Sequence, residues 1–125
     1  MKAETIAVAI IPADILEPIR FTEIPNTLQA KQKIVGGYIE AIRLRASKYG
    51  MVAMDMYCNE EFLFGDYGEN LRAIALYLFS FGTPNDLRGD MVVIGGIDAV
   101  GNDIGLSAEQ EEFLRRTFDK GQQAL

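Results

Sequence analysis

The side chains that could do chemistry in this 125-residue chain gather around two short stretches, Tyr38 to Glu40 and Tyr57 to Glu61. If Tyr38 to Ala46 is a strand, alternation puts Glu40 on one face with Tyr38, Ile42 and Leu44, while Arg43 and Arg45 point the other way. A carboxylate among apolar neighbours needs a partner, or it costs several kcal/mol of desolvation. A four-residue turn, Ser47-Lys48-Tyr49-Gly50, would set Glu40 opposite Tyr57 and Tyr38 opposite Asn59, gathering all four on one surface. A turn one residue longer or shorter flips that pairing. The plainer reading of Glu40 is an exposed or salt-bridged strand glutamate. Asn59-Glu60-Glu61 follows at once, and adjacent carboxylates repel unless water, a cation or a basic partner relieves them. Two acids can also work as general acid and base, but nothing in the spacing fixes their separation or supplies a nucleophile.

Other chemistry is excluded by composition. The chain has no histidine, which removes Ser-His-Asp and Cys-His catalysis and histidine-ligated zinc. Its one cysteine, Cys58, permits no internal disulfide and fits a reducing compartment. Asp55, Glu60 and Glu61 nearby would raise a thiol pKa, so Cys58 reads as a packed core residue. Gly36-Gly37 closes a helix rather than opening one, and no Gly-Lys-Ser/Thr follows, so it is not a phosphate loop. The glycines from Gly95 to Gly101 miss the dinucleotide fingerprint and lie beside Asp98 and Asp103. Counted as a calcium loop from Asp98, the sequence places Val100 at the third position and Asp103 where glycine is required. No cofactor and no metal site is expected. A carboxylate enzyme using a divalent cation through Glu40, Asp55 and Glu60 is the weakest reading, and the chain is read as a non-enzyme.

Charge narrows the partners. The net charge is −6, yet residues 55–112 hold twelve Asp/Glu against only Arg72 and Arg88. Such a middle segment repels phosphate, so direct nucleic-acid binding is not expected, and a basic protein or a cation suits it better. The bland alternative is that these acids are helix starts, turns and solvated edges. No apolar run approaches the roughly 18 residues of a membrane helix. Lys2 is followed by Glu4 and a short apolar run, which does not make a secretory signal. The expected setting is the cytoplasm.

The elements that must position these residues are those of one α+β domain over residues 1–125. Hydrophobic residues make up 49% of the chain, enough for a buried core without a staple. Thr5 to Ile11 reads as a buried strand, and Asp14 to Ile24, with Pro18 and a following Pro25, as an edge strand. Asn26 or Thr27 caps a helix through Lys33 that Gly36-Gly37 stops. Tyr38 to Ala46 and Met51 to Cys58 form a hairpin, with Val52, Met54, Met56 and Cys58 on one face and Asp55 and Tyr57 on the other. Asp66 and Glu69 have capping-box spacing before a helix over Glu69 to Ser80, whose Leu71, Ile74, Ala75 and Leu78 fall on one face. Leu76, Tyr77, Phe79 and Phe81 widen that face nearly all round, so a homodimer is an option. Met91 to Gly96 is a further strand, and Ser107 with Gln110 opens a last helix striped by Phe113, Leu114 and Phe118. Strands in runs with interspersed helices predict a mostly antiparallel sheet with about three helices packed on it.

Leu28, Gln32, Val35-Gly36-Gly37-Tyr38-Ile39-Glu40, Asn59-Glu60-Glu61, Asn70, Ala73 and Gly89-Asp90-Met91-Val92-Val93-Ile94-Gly95 together resemble a small family, the domain of unknown function 3846. The resemblance runs from about Ile6 to the last helix. It departs at Lys31, where the family more often has an apolar residue, and in the acidic, glycine-rich loop after Gly95. The resemblance brings no reaction with it. It implies a phage-type accessory protein working in the bacterial cytoplasm, and it marks one polar patch with Gln32, Tyr38, Glu40, Asn59, Glu60 and Asn70, to which the predicted hairpin pairing adds Tyr57, as candidate binding residues. On this reading the protein binds a host bacterial protein, for host takeover or counter-defence, through that patch and the acidic middle segment. The alternative is a small-molecule or nucleotide binder that sequesters a host defence signal, with Tyr38, Tyr57 and Asn59 holding a base.

Overall fold

The computed structural model describes residues 4–123; Lys2, weighed above against a secretory signal, lies outside them. Five strands form one antiparallel sheet: β1 (Thr5–Ile11), β2 (Arg20–Pro25), β3 (Ile39–Leu44), β4 (Met54–Asn59) and β5 (Met91–Ile94). Their spatial order is β2-β1-β5-β4-β3. Helix α1 (Leu28–Val35) covers one face, and α2 (Leu71–Phe81) and α3 (Ala108–Gln123) cover the other. A two-stranded ribbon, β6 (Gly96–Ile97) with β7 (Asp103–Ile104), follows β5. The fold is α+β, as the order of patterns predicts.

Period-two alternation builds two cores. Ile6, Val8, Ile10, Tyr57, Val92 and Ile94 face α1, while Ala9, Ile11, Met54, Met56, Cys58, Met91 and Val93 face α2 and α3. β4 lies inside the sheet with both faces covered, and all six of its residues are buried. β3 is an edge strand and stays half exposed. Helix ends follow local chemistry. The Thr27 hydroxyl accepts from the Ala30 amide, and Gly36 closes α1 at φ 87°, a conformation that favours glycine. The Ser107–Gln110 capping box is reciprocal, at 3.1 and 2.8 Å.

Two expectations about position are corrected. The β3–β4 register pairs Ile39 with Asn59, Glu40 with Cys58 and Ala41 with Tyr57, one residue away from the predicted pairing. The connection is longer than a four-residue turn, because β3 ends at Leu44 and β4 begins at Met54. Within it the Ser47 amide donates to the Met51 carbonyl, and the Ser47 hydroxyl reaches out of the loop to the Phe79 carbonyl at 2.6 Å. Tertiary anchoring on α2 thus sets the loop. Glu40 and Tyr57 therefore lie on opposite faces of the sheet.

The buried side of α2 is also rotated from the predicted one. Arg72, Ala73 and Leu76 are buried, whereas Leu71 and Leu78 are exposed. Polar anchors fix this rotation. Asn70 Nδ2 donates to the Ile11 and Gly89 carbonyls, both at 2.9 Å, and its Oδ1 accepts from the Ala73 amide. The Arg72 guanidinium donates to the carbonyls of Pro12, Asp14 and Glu17 at 2.7 to 3.2 Å. Asn70 is the N-cap, so α2 starts at Leu71, two residues beyond the predicted start at Glu69, and the Asp66–Glu69 spacing does not cap it.

Lys31 and the acidic, glycine-rich loop after Gly95 meet each other. Lys31, buried under α1, pairs with Asp103 of the ribbon and donates to Asn26 Oδ1 at 2.9 Å. A buried ammonium requires such a partner, and the acidic loop supplies it.

Candidate functional site

Where α1 ends, β3 begins and β4 ends, the chain leaves a cleft of about 380 Å³. That size falls in the range of small-ligand pockets. Its floor is Asn59 with Gly36 and Gly37. Asn59 is fully committed within the protein: Nδ2 donates to the Val35 carbonyl at 3.2 Å and to the Tyr67 hydroxyl at 3.0 Å, and Oδ1 accepts from the Glu61 amide at 2.8 Å. A β-carbon on Gly37 would stand 3.0 Å from Asn59 Nδ2, so glycine lets the helix end come down onto the amide.

Tyr67 makes one wall, held from several sides. A β-carbon on Gly65 would come within 2.2 Å of its ring, and one on Gly89 within 3.3 Å. Because the Tyr67 oxygen accepts from Asn59, its own hydrogen is left to donate, and among the described residues it meets no acceptor. Tyr38 and Phe64 stand at the rim, 68% and 88% exposed. Gln32 on α1 and Glu61 complete the lining.

The structure thus brings Gln32, Tyr38 and Asn59 of the expected patch to one cleft and disperses the others. Glu40 is exposed on the α2 side of the edge strand; its carboxylate makes no hydrogen bond or ion pair among the described residues, while its backbone carbonyl accepts from Cys58 Sγ at 3.7 Å. It shares no cleft with Asn59. Glu60 is exposed outside the cleft lining, and its amide donates to the carbonyl of Tyr38, just before β3, at 2.8 Å. Asn70 is wholly buried as the α2 cap. Tyr57 faces a different hollow, of about 240 Å³, and its hydroxyl donates to Asp103 at 2.8 Å. Burial first, then that carboxylate, push the Tyr57 phenol above the ordinary tyrosine range. Burial likewise raises Asp55 on the same face, against the pull of Arg43.

Residue-type reasoning passed over Tyr67, Phe64 and Gly65. The signal was present as Gly65-Asp66-Tyr67-Gly68, a tyrosine set between glycines, but only the fold shows that Gly65 packs on the ring.

Cys58 is a core residue. It is fully buried, and burial followed by the nearby Glu40 charge pushes its thiol up to about 11. At pH 8 the native protein should resist a disulfide exchange reagent and react stoichiometrically only after unfolding. Since this acid is weakened by folding, its contribution to stability is lost as pH rises beyond its unfolded value of 9.0. Rapid native labelling at pH 8 would contradict this placement.

Among the described residues, no group of three or more Cys, Asp or Glu is placed to hold a metal ion, and no helix is long and apolar enough to cross a membrane.

Fold and cleft together define a small α+β protein with a glycine-floored, aromatic-rimmed pocket at one end of an antiparallel sheet. The chain belongs to the family described as domain of unknown function (DUF3846), whose model matches residues 6–119. Neither the curated proteins nor the solved structures offer a match to it.

Proposed function

We propose that this protein is a non-enzymatic accessory protein, of the phage type and acting in a bacterial cytoplasm, that captures a small ligand in the cleft around Tyr67. The observation that carries this reading is the pre-set cleft itself: its floor amide and its tyrosine are held in place by the protein's own hydrogen bonds. Pre-organised walls lower the entropic cost of binding. Among the described residues no lysine or arginine lines the cleft, so a phosphate-rich nucleotide suits it less well than a compact ligand with little negative charge.

A second reading, capture of a host protein, draws support from the rim, where Phe64 and Tyr38 expose large apolar surface on the cleft, and from the exposed Leu63 next to Phe64 in the chain. Both readings use the same seat. The residues that matter in either case are then Tyr38, Phe64 and Tyr67 rather than Glu40.

The test is a two-dimensional amide NMR titration with nucleotides, nucleosides and small polar metabolites. A binding compound should move the amides of Gly36, Gly37 and Gly65, and Tyr67→Ala should weaken it at least tenfold while the fold persists. Glu40→Ala should change nothing. Binding that survives Tyr67→Ala, or that maps to the opposite face of the sheet, would remove the cleft from consideration.

A further inference from the structure

We propose that the cleft recognises an organic ammonium cation, with the aromatic rim packing on its alkyl groups and Glu61 balancing its charge; this rests on the reading of the cleft as the binding seat. Three aromatic side chains, Tyr38, Phe64 and Tyr67, line one space of about 380 Å³. Among the described residues, none of the three stacks on another ring or lies under a lysine or arginine. Tyr38 and Phe64 are exposed to a guest at the rim, while Tyr67 is packed by Gly65 and Gly89 and presents only the part of its ring that lines the cleft. The negative face of an aromatic ring attracts a cation, and several rings around one space strengthen the effect where water is thinned out.

Charge agrees with this. Among the described residues, Glu61 is the one carboxylate lining the cleft, and no ammonium or guanidinium lines it. The segment from Asn59 to Asn70, which builds most of the wall, carries Glu60, Glu61, Asp66 and Glu69 and no basic residue. The local field therefore favours a positive ligand and opposes a phosphate. A neutral flat ring would find stacking surface here but would leave Glu61 without a counter-charge. Tyr67, clamped by Gly65 and Gly89 and bonded to Asn59, is fixed before the ligand arrives. The exposed Phe64 and Tyr38 are the surfaces whose burial such a ligand would gain.

The same trimethylammonium chemistry occurs on a free metabolite and on a methylated lysine side chain of a protein, and the experiment separates them. Choline, its neutral isostere 3,3-dimethyl-1-butanol, a trimethyllysine peptide and the same peptide with unmodified lysine are titrated into the full chain, followed by amide NMR. Choline or the trimethyllysine peptide should move Gly36, Gly37 and Gly65, with the isostere at least tenfold weaker than choline. Tighter binding of the peptide identifies a protein side chain as the source, and tighter binding of choline identifies a free small molecule. Phe64→Ala, at an exposed position that the fold does not need, should weaken the cation about fivefold. Glu61→Gln should weaken it to a similar degree and reduce the salt dependence.

Equal binding of choline and its isostere would overturn the cationic assignment while leaving the cleft as a binding seat. So would a nucleoside or other neutral compound that moves the cleft amides when neither trimethylammonium probe does. If no compound of any class moves those amides, the binding-seat reading falls together with this one.

Discussion

Asp103→Ala is expected to cost the fold about 3–5 kcal/mol, because it strands the Lys31 ammonium under α1. The side chains of Lys31 and Asp103 are 5% and 12% exposed, so water cannot take over the lost partner. Asn26 Oδ1 stays within reach of Lys31, but a neutral amide does not balance a charge. Tyr57 loses the acceptor of its hydroxyl in the same step. The double variant Lys31→Met with Asp103→Asn should behave differently. It removes the charge and keeps an amide oxygen for Tyr57, and its stability should lie within about 1 kcal/mol of the parent or above it. Urea unfolding with an unchanged slope would measure both. A loss below about 1 kcal/mol for Asp103→Ala would mean that Lys31 reaches solvent when its partner is gone.

The second large effect is expected at Asn70, named from sequence as a binding residue and found to be an anchor. Asn70→Ala removes an N-cap, worth about 1 kcal/mol, and strips the donor from two buried carbonyls, at roughly 1–3 kcal/mol each. A total loss of roughly 3–7 kcal/mol follows if the chain does not relax. Asn70→Asp is the informative control. At an exposed cap the two residues are nearly equivalent. Here aspartate keeps the bond to the Ala73 amide but turns a second oxygen toward the Ile11 and Gly89 carbonyls, so it should not restore stability. Full stability in Asn70→Asp would show that the cap alone matters. Neither variant should alter binding by the folded fraction, since Asn70 does not line the cleft.

How much of this was legible follows the range of the forces involved. β1 begins and ends where its β-branched run does, at Thr5 and Ile11. The caps at Gly36 and Ser107 were readable, and that at Thr27 as one of two candidates with Asn26, because each is a bond between residues a few positions apart. The burial of Cys58 with Met54 and Met56 follows from alternation in a strand. The register of β3 on β4 was not readable, since it turns on a loop whose Ser47 is held by the far end of α2. One residue of slip moved Glu40 away from Tyr57 and took the expected four-residue cluster apart. Lys31 is a similar case. Taken alone it looks misplaced on a helix that must pack, and its partner lies 72 positions away.

The amino-acid sequence on its own determined the class of fold, the family, most helix ends and the division of strand residues between two faces, because periodicity and capping act over a few residues. Only the tertiary structure decided which polar groups meet. It turned α2 about its axis through the Asn70 and Arg72 anchors and buried the Lys31–Asp103 pair. It also closed glycines around Tyr67 to leave one open cleft beside Asn59. Those outcomes depend on contacts between distant segments, where a shift of one residue reverses which side of the sheet a side chain occupies.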